Sequence, residues 1–340
     1  MKSLIFPPKL KVGDRIATIS LSWGGAGDQD ISWRYEQGKR QMEEVFGFEL
    51  VEMTNTLKGT DYLYQHPQAR AADLMQAFSD PSIKGIVTCI GGIDSIRILP
   101  YIDFDVIRDN PKLLLGYSDT TISHMICYKA GLSSVYGPTL LVDFAENNGM
   151  DAYTVAGLKA VVFDEGPLGR IDPAKEWTSE FLPWQVKHQN TSRQRQANKG
   201  YECLQGSGRV KGHLIGGCIE VFDELRGTSL FPALEDFVGA ILFFETSEEK
   251  PPAWLLETIL RTYGIMGILD RIHGMIWGKP VDEVNYEAYN ATIKKVLAEF
   301  GQEALPVLVN VNFGHTEPKI SLPYGRMIEI DCQGPFLIGV

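Results

Sequence analysis

Over its first 150 residues the chain alternates short apolar runs, each ended by a turn signal, with longer stretches of helical period. That alternation is the tightest constraint on its fold. Residues 15–21 (RIATISL), 83–90 (IKGIVTCI) and 112–117 (KLLLGY) read as strands, the last two as buried ones. Between them, 31–46 places Tyr35, Met42, Val45 and Phe46 near one helical face. Residues 69–78 set Ala71, Leu74, Met75 and Phe78 at i, i+3, i+4 and i+7, and 120–130 reads as a helix stopped by Gly131. Strand, helix, strand, helix implies a parallel sheet covered on both faces, so residues 1–165 are expected to form an α/β domain.

From 166 to 208 the periodicity fails. Gly, Pro, Asn, Gln and Ser dominate, and no apolar run exceeds three residues, which predicts a long connecting loop. The loop carries Trp177, Phe181 and Trp184, and between 185 and 200 it has Lys187, Arg193, Arg195 and Lys199 without an acid. Strands are expected again at 209–215, 240–245, 275–277, 307–311, 326–331 and 336–340, with helices at 253–263 and 286–300. At 340 residues the chain has room for two domains. The expectation is an N-terminal parallel-sheet α/β domain, a linker and substrate loop, and a smaller β-rich C-terminal domain over 209–340.

Charge and cysteine usage narrow the class. Lys and Arg total 32 against 43 Asp and Glu, a net charge of −11, which disfavours nucleic acid and anionic membranes as partners. The five cysteines, Cys89, Cys127, Cys203, Cys218 and Cys332, are odd in number and never spaced C-x-x-C, so neither a disulfide framework nor a thiolate zinc site is expected. The N-terminal apolar stretch is too short for a signal h-region and no window approaches 18 apolar residues, so the protein is expected to be cytoplasmic.

Chemistry concentrates where apolar strands end. In Leu113-Leu114-Leu115-Gly116-Tyr117-Ser118-Asp119-Thr120 a buried strand turns abruptly into a helix with a serine at the corner, which is where a nucleophile elbow sits. Ser118 and Asp119 also suit a helix cap, and the second glycine of G-x-S-x-G is missing. Gly91-Gly92 ends a second strand and either lets backbone approach a ligand, with an N–H for an oxyanion, or merely turns the chain. Glu245 closes the run Ala240-Ile241-Leu242-Phe243-Phe244, while Glu248 and Glu249 read as solvated turn residues. His315 follows the strand at 307–311 on a glycine-hinged loop. Singly, His315 reads as a structural histidine and Glu245 as either solvent-facing or held for a purpose, but Ser118, Glu245 and His315 all lie at C-terminal strand ends, the edge where α/β sites assemble, and together they have the make-up of a triad of nucleophile, orienting acid and base.

Other chemistries lack their motifs. The six histidines show no H-E-x-x-H, there is no G-x-x-x-x-G-K-[ST], and Gly24-Gly25-Ala26-Gly27 is not G-x-G-x-x-G. No metal or organic cofactor is expected.

Taken together, Gly116-Tyr117-Ser118-Asp119, Ile90-Gly91-Gly92 followed by Leu99-Pro100-Tyr101-Ile102-Asp103, Phe243-Phe244-Glu245 and Gly314-His315-Thr316 resemble the LD-carboxypeptidase family of serine peptidases. The similarity runs over nearly the whole chain. Lys175-Glu176-Trp177 and Gly206-Ser207-Gly208-Arg209-Val210-Lys211-Gly212 are similar to its microcin C self-immunity branch, though Cys218 stands where that branch carries an asparagine. The resemblance implies a homodimer with a Ser-His-Glu triad at the domain junction: Ser118 as nucleophile, His315 as base and acid, Glu245 as orienting carboxylate. It also implies oxyanion N–H groups from Gly92 and Asp119, with Gly91 and Trp177 binding substrate, the tryptophan by stacking on a nucleobase. The implied activity is amide hydrolysis through an acyl-enzyme, on aminoacyl or peptidyl nucleotides or on muropeptides. A non-catalytic ligand-binding homologue is the alternative from another class.

Overall fold

Five parallel strands carry the N-terminal half in the computed structural model, which describes residues 2–334 and 336–339. They pair in the order Val135–Tyr136, Leu113–Gly116, Ile83–Thr88, Arg15–Ile19, Glu49–Glu52. The expected helices form over Ser32–Phe46, Pro67–Ser79 and Thr121–Ala130. Each follows its apolar stripe: Ala71, Leu74, Ala77 and Phe78 are buried on the second, which opens on Pro67 at its first turn. The third is buried on nearly every side, as its sequence ISHMICY requires. Several elements escape the periodic reading, two of them in the N-terminal half with a clear cause. Glu49–Glu52 (ELVE) is an edge strand with one fully buried position, and Ala152–Val162 is a helix capped by Asp151, whose carboxylate accepts the Tyr153 and Thr154 N–H groups.

The C-terminal half is built on an eight-stranded sheet in the order Gly169–Ile171, Phe336–Gly339, Met327–Asp331, Arg209–Cys218, Ala240–Glu245, Gly274–Gly278, Val307–Val311, Glu202–Gln205. Its four central strands, from Arg209–Cys218 to Val307–Val311, run parallel and its flanks antiparallel. Helices Ala253–Ile265 and Tyr286–Glu299 complete the unit, with a packed aromatic cluster of Phe222, Phe231, Phe244, Tyr263 and Trp277. The last strand was expected to reach Val340, which lies outside the described residues. Among the described residues no helix is long and apolar enough to cross a membrane.

By contact the chain separates into Leu4–Glu165 with Phe181–Gln194, and Met1–Ser3 with Gly166–Glu180 and Arg195–Val340. The stretch 166–208 is therefore not unbroken loop. It contributes edge strands Gly169–Ile171 and Glu202–Gln205 and a small ribbon pairing Glu176–Trp177 with Gln196–Ala197. Strands of two to four residues are shorter than the window in which alternation can be counted. Its basic run is also partly neutralised, Arg193 by Glu146 and Lys199 by Glu283 at 3.9 Å.

Candidate active site

The strand Leu113–Gly116 is buried throughout and ends in a turn that puts Ser118, half-buried, at φ 64°. A serine in the left-handed region is strained by about 1–2 kcal/mol, and such strain persists where the surroundings over-determine it. Here the Ser118 N–H donates to the Tyr136 hydroxyl at 3.1 Å and Thr121 Oγ1 donates to the Ser118 carbonyl at 2.7 Å. Asp119 is fixed twice by Ser95, whose N–H donates to its carboxylate and whose hydroxyl donates to its carbonyl, both at 3.0 Å. Behind the turn, His124 is fully buried between the Gly116 carbonyl (2.9 Å from Nε2) and Ser134 Oγ (2.8 Å from Nδ1). Burial pushes its pKa down to about 3, so it is a neutral brace with the proton on Nε2.

The Gly91–Gly92 turn lies against this corner. A Cβ on Gly91 would stand 2.8 Å from Ser118 Cβ, 2.9 Å from its Oγ and 3.1 Å from the Asp119 nitrogen, so only glycine fits. The turn is tied down by the Trp23 N–H, which donates to the Gly91 carbonyl at 3.2 Å. Asp94 is clamped by the buried Arg70 (2.7 Å) and by Arg97 (3.0 Å). Gly91→Ala should therefore displace the serine: we expect more than a tenfold loss of Ser118 reactivity towards a fluorophosphonate. The overpacking cost of about 1–3 kcal/mol should show as a lower melting temperature.

In the C-terminal unit Glu245 ends its strand 1% exposed, with room made by a glycine at position 314, where a Cβ would lie 2.5 Å from the Glu245 Cγ. The next residue is His315, whose Nδ1 is 2.7 Å from Glu245 Oε2. Its Nε2 is 3.0 Å from Glu248 Oε2. Burial opposes a charged ring, but the two carboxylates outweigh it and lift His315 to about 10. The His315 hydrogen bond in turn lowers Glu248 to about 2. Glu248, expected to be merely solvated, is thus a partner of the histidine. No local pattern marks it, because the contact depends on how the loop after Gly314 folds back. Cys218 pairs in register with Glu245 and is buried, its thiol pushed well up by burial and by that carboxylate. The thiol donates to Glu220 at 3.4 Å.

Trp177 is 2% exposed, and the ammonium of Lys279 lies 4.5 Å from its ring centroid. Lys279 is itself buried, which lowers its pKa to about 8, and it donates to Asn310 and Asn198. A second aromatic group, less deeply buried, lies elsewhere. In the N-terminal unit Trp184 stacks on Trp23 (6.1 Å between centroids, 26°), with the Arg34 guanidinium 4.6 Å from the Trp184 ring and Phe181, 72% exposed, at 6.4 Å. Trp23 is the residue whose N–H holds Gly91. Sequence reading noticed Trp184 but had no means of pairing it with Trp23, some 160 positions away.

Comparison with known proteins places these features in a family. Family models for the LD-carboxypeptidase N-terminal domain and C-terminal domain match residues 16–137 and 211–330. The chain is 29% identical to the microcin C7 self-immunity protein MccF of Escherichia coli over 95% of its own length and 92% of that protein's. It is 26% identical to a Bacillus subtilis protein whose name is "Probable murein peptide carboxypeptidase", over 78% and 74%. Among solved structures, an MccF-like protein from Streptococcus pneumoniae in complex with AMP superposes with a TM-score of 0.88 at 32% identity, covering 96% of this chain and 99% of that one. MccF in complex with aspartyl sulfamoyl adenosine gives 0.86 at 26%, covering 99% and 98%. A two-domain α/β chain with these matches across both halves belongs to the LD-carboxypeptidase family, the S66 peptidases.

Proposed function

We propose that the protein is a serine amide hydrolase acting on aminoacyl or peptidyl nucleotides, with Ser118, His315 and Glu245 as its triad. The observation that carries the reading is the 2.7 Å bond from His315 Nδ1 to the buried carboxylate of Glu245, the base-to-orienting-acid half of a triad, in a chain where a strained strand-to-helix corner presents a serine. His315 Nε2 takes the Ser118 proton as Oγ attacks the substrate carbonyl. Glu245 steadies the imidazolium, and the same proton passes to the leaving amine as the C–N bond breaks. Water then repeats the sequence on the acyl-enzyme: Nε2 takes its proton, hydroxide adds to the ester carbon, and Ser118 leaves with the proton restored. The N–H groups of Gly92 and Asp119 would receive the oxyanion; in support, Gly91 lies so near the Asp119 nitrogen that an added Cβ would stand 3.1 Å from it, and the first N–H groups of a helical turn have no carbonyl behind them.

The nucleotide preference draws on the relatives bound to AMP and to aspartyl sulfamoyl adenosine, and on the half-buried Trp184–Trp23 stack beside the turn that lies against Ser118. Trp177, which the resemblance made the stacking residue, we propose instead as a strut beneath its loop, given its burial under Lys279. Base stacking on an aromatic ring is worth roughly 1–3 kcal/mol. Trp184→Ala should therefore raise KM for a nucleotide-linked substrate by about 5- to 150-fold at about 1.4 kcal/mol per tenfold, and change hydrolysis of a muropeptide far less. Trp177→Ala should weaken both substrates together and lower the melting temperature, at a cost of about 3–5 kcal/mol. Steady-state kinetics of the two variants on an aspartyl-nucleotide analogue and a muropeptide tetrapeptide test the assignment. Hydrolysis of the muropeptide alone would replace it with the cell-wall reading suggested by the Bacillus subtilis relative.

A further inference from the structure

Both nitrogens of His315 are committed to carboxylates. Nδ1 goes to Glu245 and Nε2, the atom that must receive a serine proton, to Glu248 Oε2 at 3.0 Å. A ring that donates from both nitrogens is an imidazolium, and an imidazolium accepts no proton. The two carboxylates are held very differently. Glu245 is fully buried at a strand end, while the Glu248 side chain is 66% exposed. The residues flanking Glu248 are pinned: Ser247 donates its N–H and its hydroxyl to Glu220 Oε1 at 3.0 and 2.7 Å, and Lys250 bonds Asp282 at 2.5 Å. The Glu248 side chain is therefore free to rotate off Nε2 about its own torsions while the turn stays in place. Within this unit the charged groups bearing on the ring are Glu245 and Glu248, with the Cys218 thiol and Glu220 behind Glu245. The one cation of the turn, Lys250, is held by Asp282.

We infer that Glu248 is a positioning residue of the site, holding the His315 ring by Nε2 in a resting arrangement and yielding that nitrogen when a serine is to be deprotonated. The inference rests on the triad proposed above. Its sign follows from the charges. Glu248→Gln removes one of the two anions that favour the protonated ring, so the His315 pKa falls and the unprotonated ring forms at lower pH. The acid limb of the reaction, which reports that pKa in the free protein, must move down with it. Glu248→Asp keeps the anion and should keep the limb near its wild-type position.

The test is the rate of Ser118 modification by a fluorophosphonate as a function of pH in wild type, Glu248→Gln and Glu248→Asp, with His315 followed by NMR titration in the same three proteins. We expect the Glu248→Gln midpoint at least one pH unit below wild type in both measurements. Modification would then be roughly tenfold faster at any pH below both midpoints, since one unit is a factor of ten in the deprotonated fraction. An unchanged midpoint in Glu248→Gln, with Ser118 still modified, would overturn the role of Glu248 and leave the hydrolase standing. Failure of wild type to be modified at Ser118 at any pH would overturn the triad, and this inference with it.

Discussion

Replacing Ser118 with alanine should abolish hydrolysis while leaving the protein folded. The nucleophile of a triad cannot be bypassed, and removing one typically lowers kcat by about 10⁴- to 10⁶-fold, with residual rate from the oxyanion donors and binding alone. Stability should stay within about 0.5 kcal/mol, since only a hydroxyl is lost at a half-buried position and the left-handed strain at φ 64° is the same for alanine as for serine. Ser118→Gly should be equally inactive yet no less stable, because it relieves that strain. The histidine needs a gentler change. His315→Ala would leave the Glu245 carboxylate buried without its partner, a loss of about 3–5 kcal/mol that would confuse function with folding. His315→Gln keeps an amide donor for Glu245 and should lose turnover to the same extent. Kinetics on a nucleotide-linked substrate, with melting curves alongside, check both residues, and retention of more than about a tenth of the rate in either folded variant would remove the triad assignment.

Neutralising Glu245 carries the second large effect. Glu245→Gln keeps the shape of the side chain at a position closed in by Gly314 and Gly278, so it should fold. Its amide can present N–H to His315 Nδ1 and turn the ring to the tautomer whose Nε2 bears the proton, and it cannot steady the imidazolium that forms during attack. A loss of roughly 10⁴-fold in kcat is expected by analogy with the asparagine substitution in serine proteases. Glu248→Gln should differ in kind: Glu245→Gln lowers the plateau of the pH profile, whereas Glu248→Gln shifts its acid limb. If Glu245→Gln kept the plateau and Glu248→Gln lost it, the orienting acid would have to be moved to Glu248.

What could be read from the sequence was whatever repeats or ends locally. The helices at Pro67–Ser79 and Thr121–Ala130 and the strands Ala240–Glu245 and Val307–Val311 follow from periodicity, because each buries a face or a whole run that nothing else in the chain could bury. Glu49–Glu52 was illegible because an edge strand with acids at both ends buries too little to leave a pattern. Ser118 and Glu245 stood out because a polar residue at the end of a buried strand is unusual wherever it occurs. Glu248 and Trp184 did not, because their roles come from partners, His315 and Trp23, that lie 67 and 161 positions away and are joined to them by tertiary folding alone. Trp177 is the converse case: a tryptophan in a polar, irregular stretch carries no local sign of burial, yet a two-residue ribbon and a buried lysine enclose it.

The segment Phe181–Gln194 has a consequence for how this protein could have been assembled and can be taken apart. It is spelled in the middle of residues that belong to the C-terminal unit, yet it lends the N-terminal unit Trp184 for Trp23, Gln189 for Gln37 and Arg193 for Glu146. No single scissile point therefore divides the gene into two self-sufficient modules. A fragment stopping at residue 165 would forfeit the aromatic stack and strand Glu146 without its cation. A chimaera that exchanged the C-terminal half with a relative would import a foreign insert into the unit that carries Ser118. Whatever tunes that insert in one lineage is inherited with Glu245 and His315, so the proposed stacking residue and the proposed base and acid would pass through recombination together.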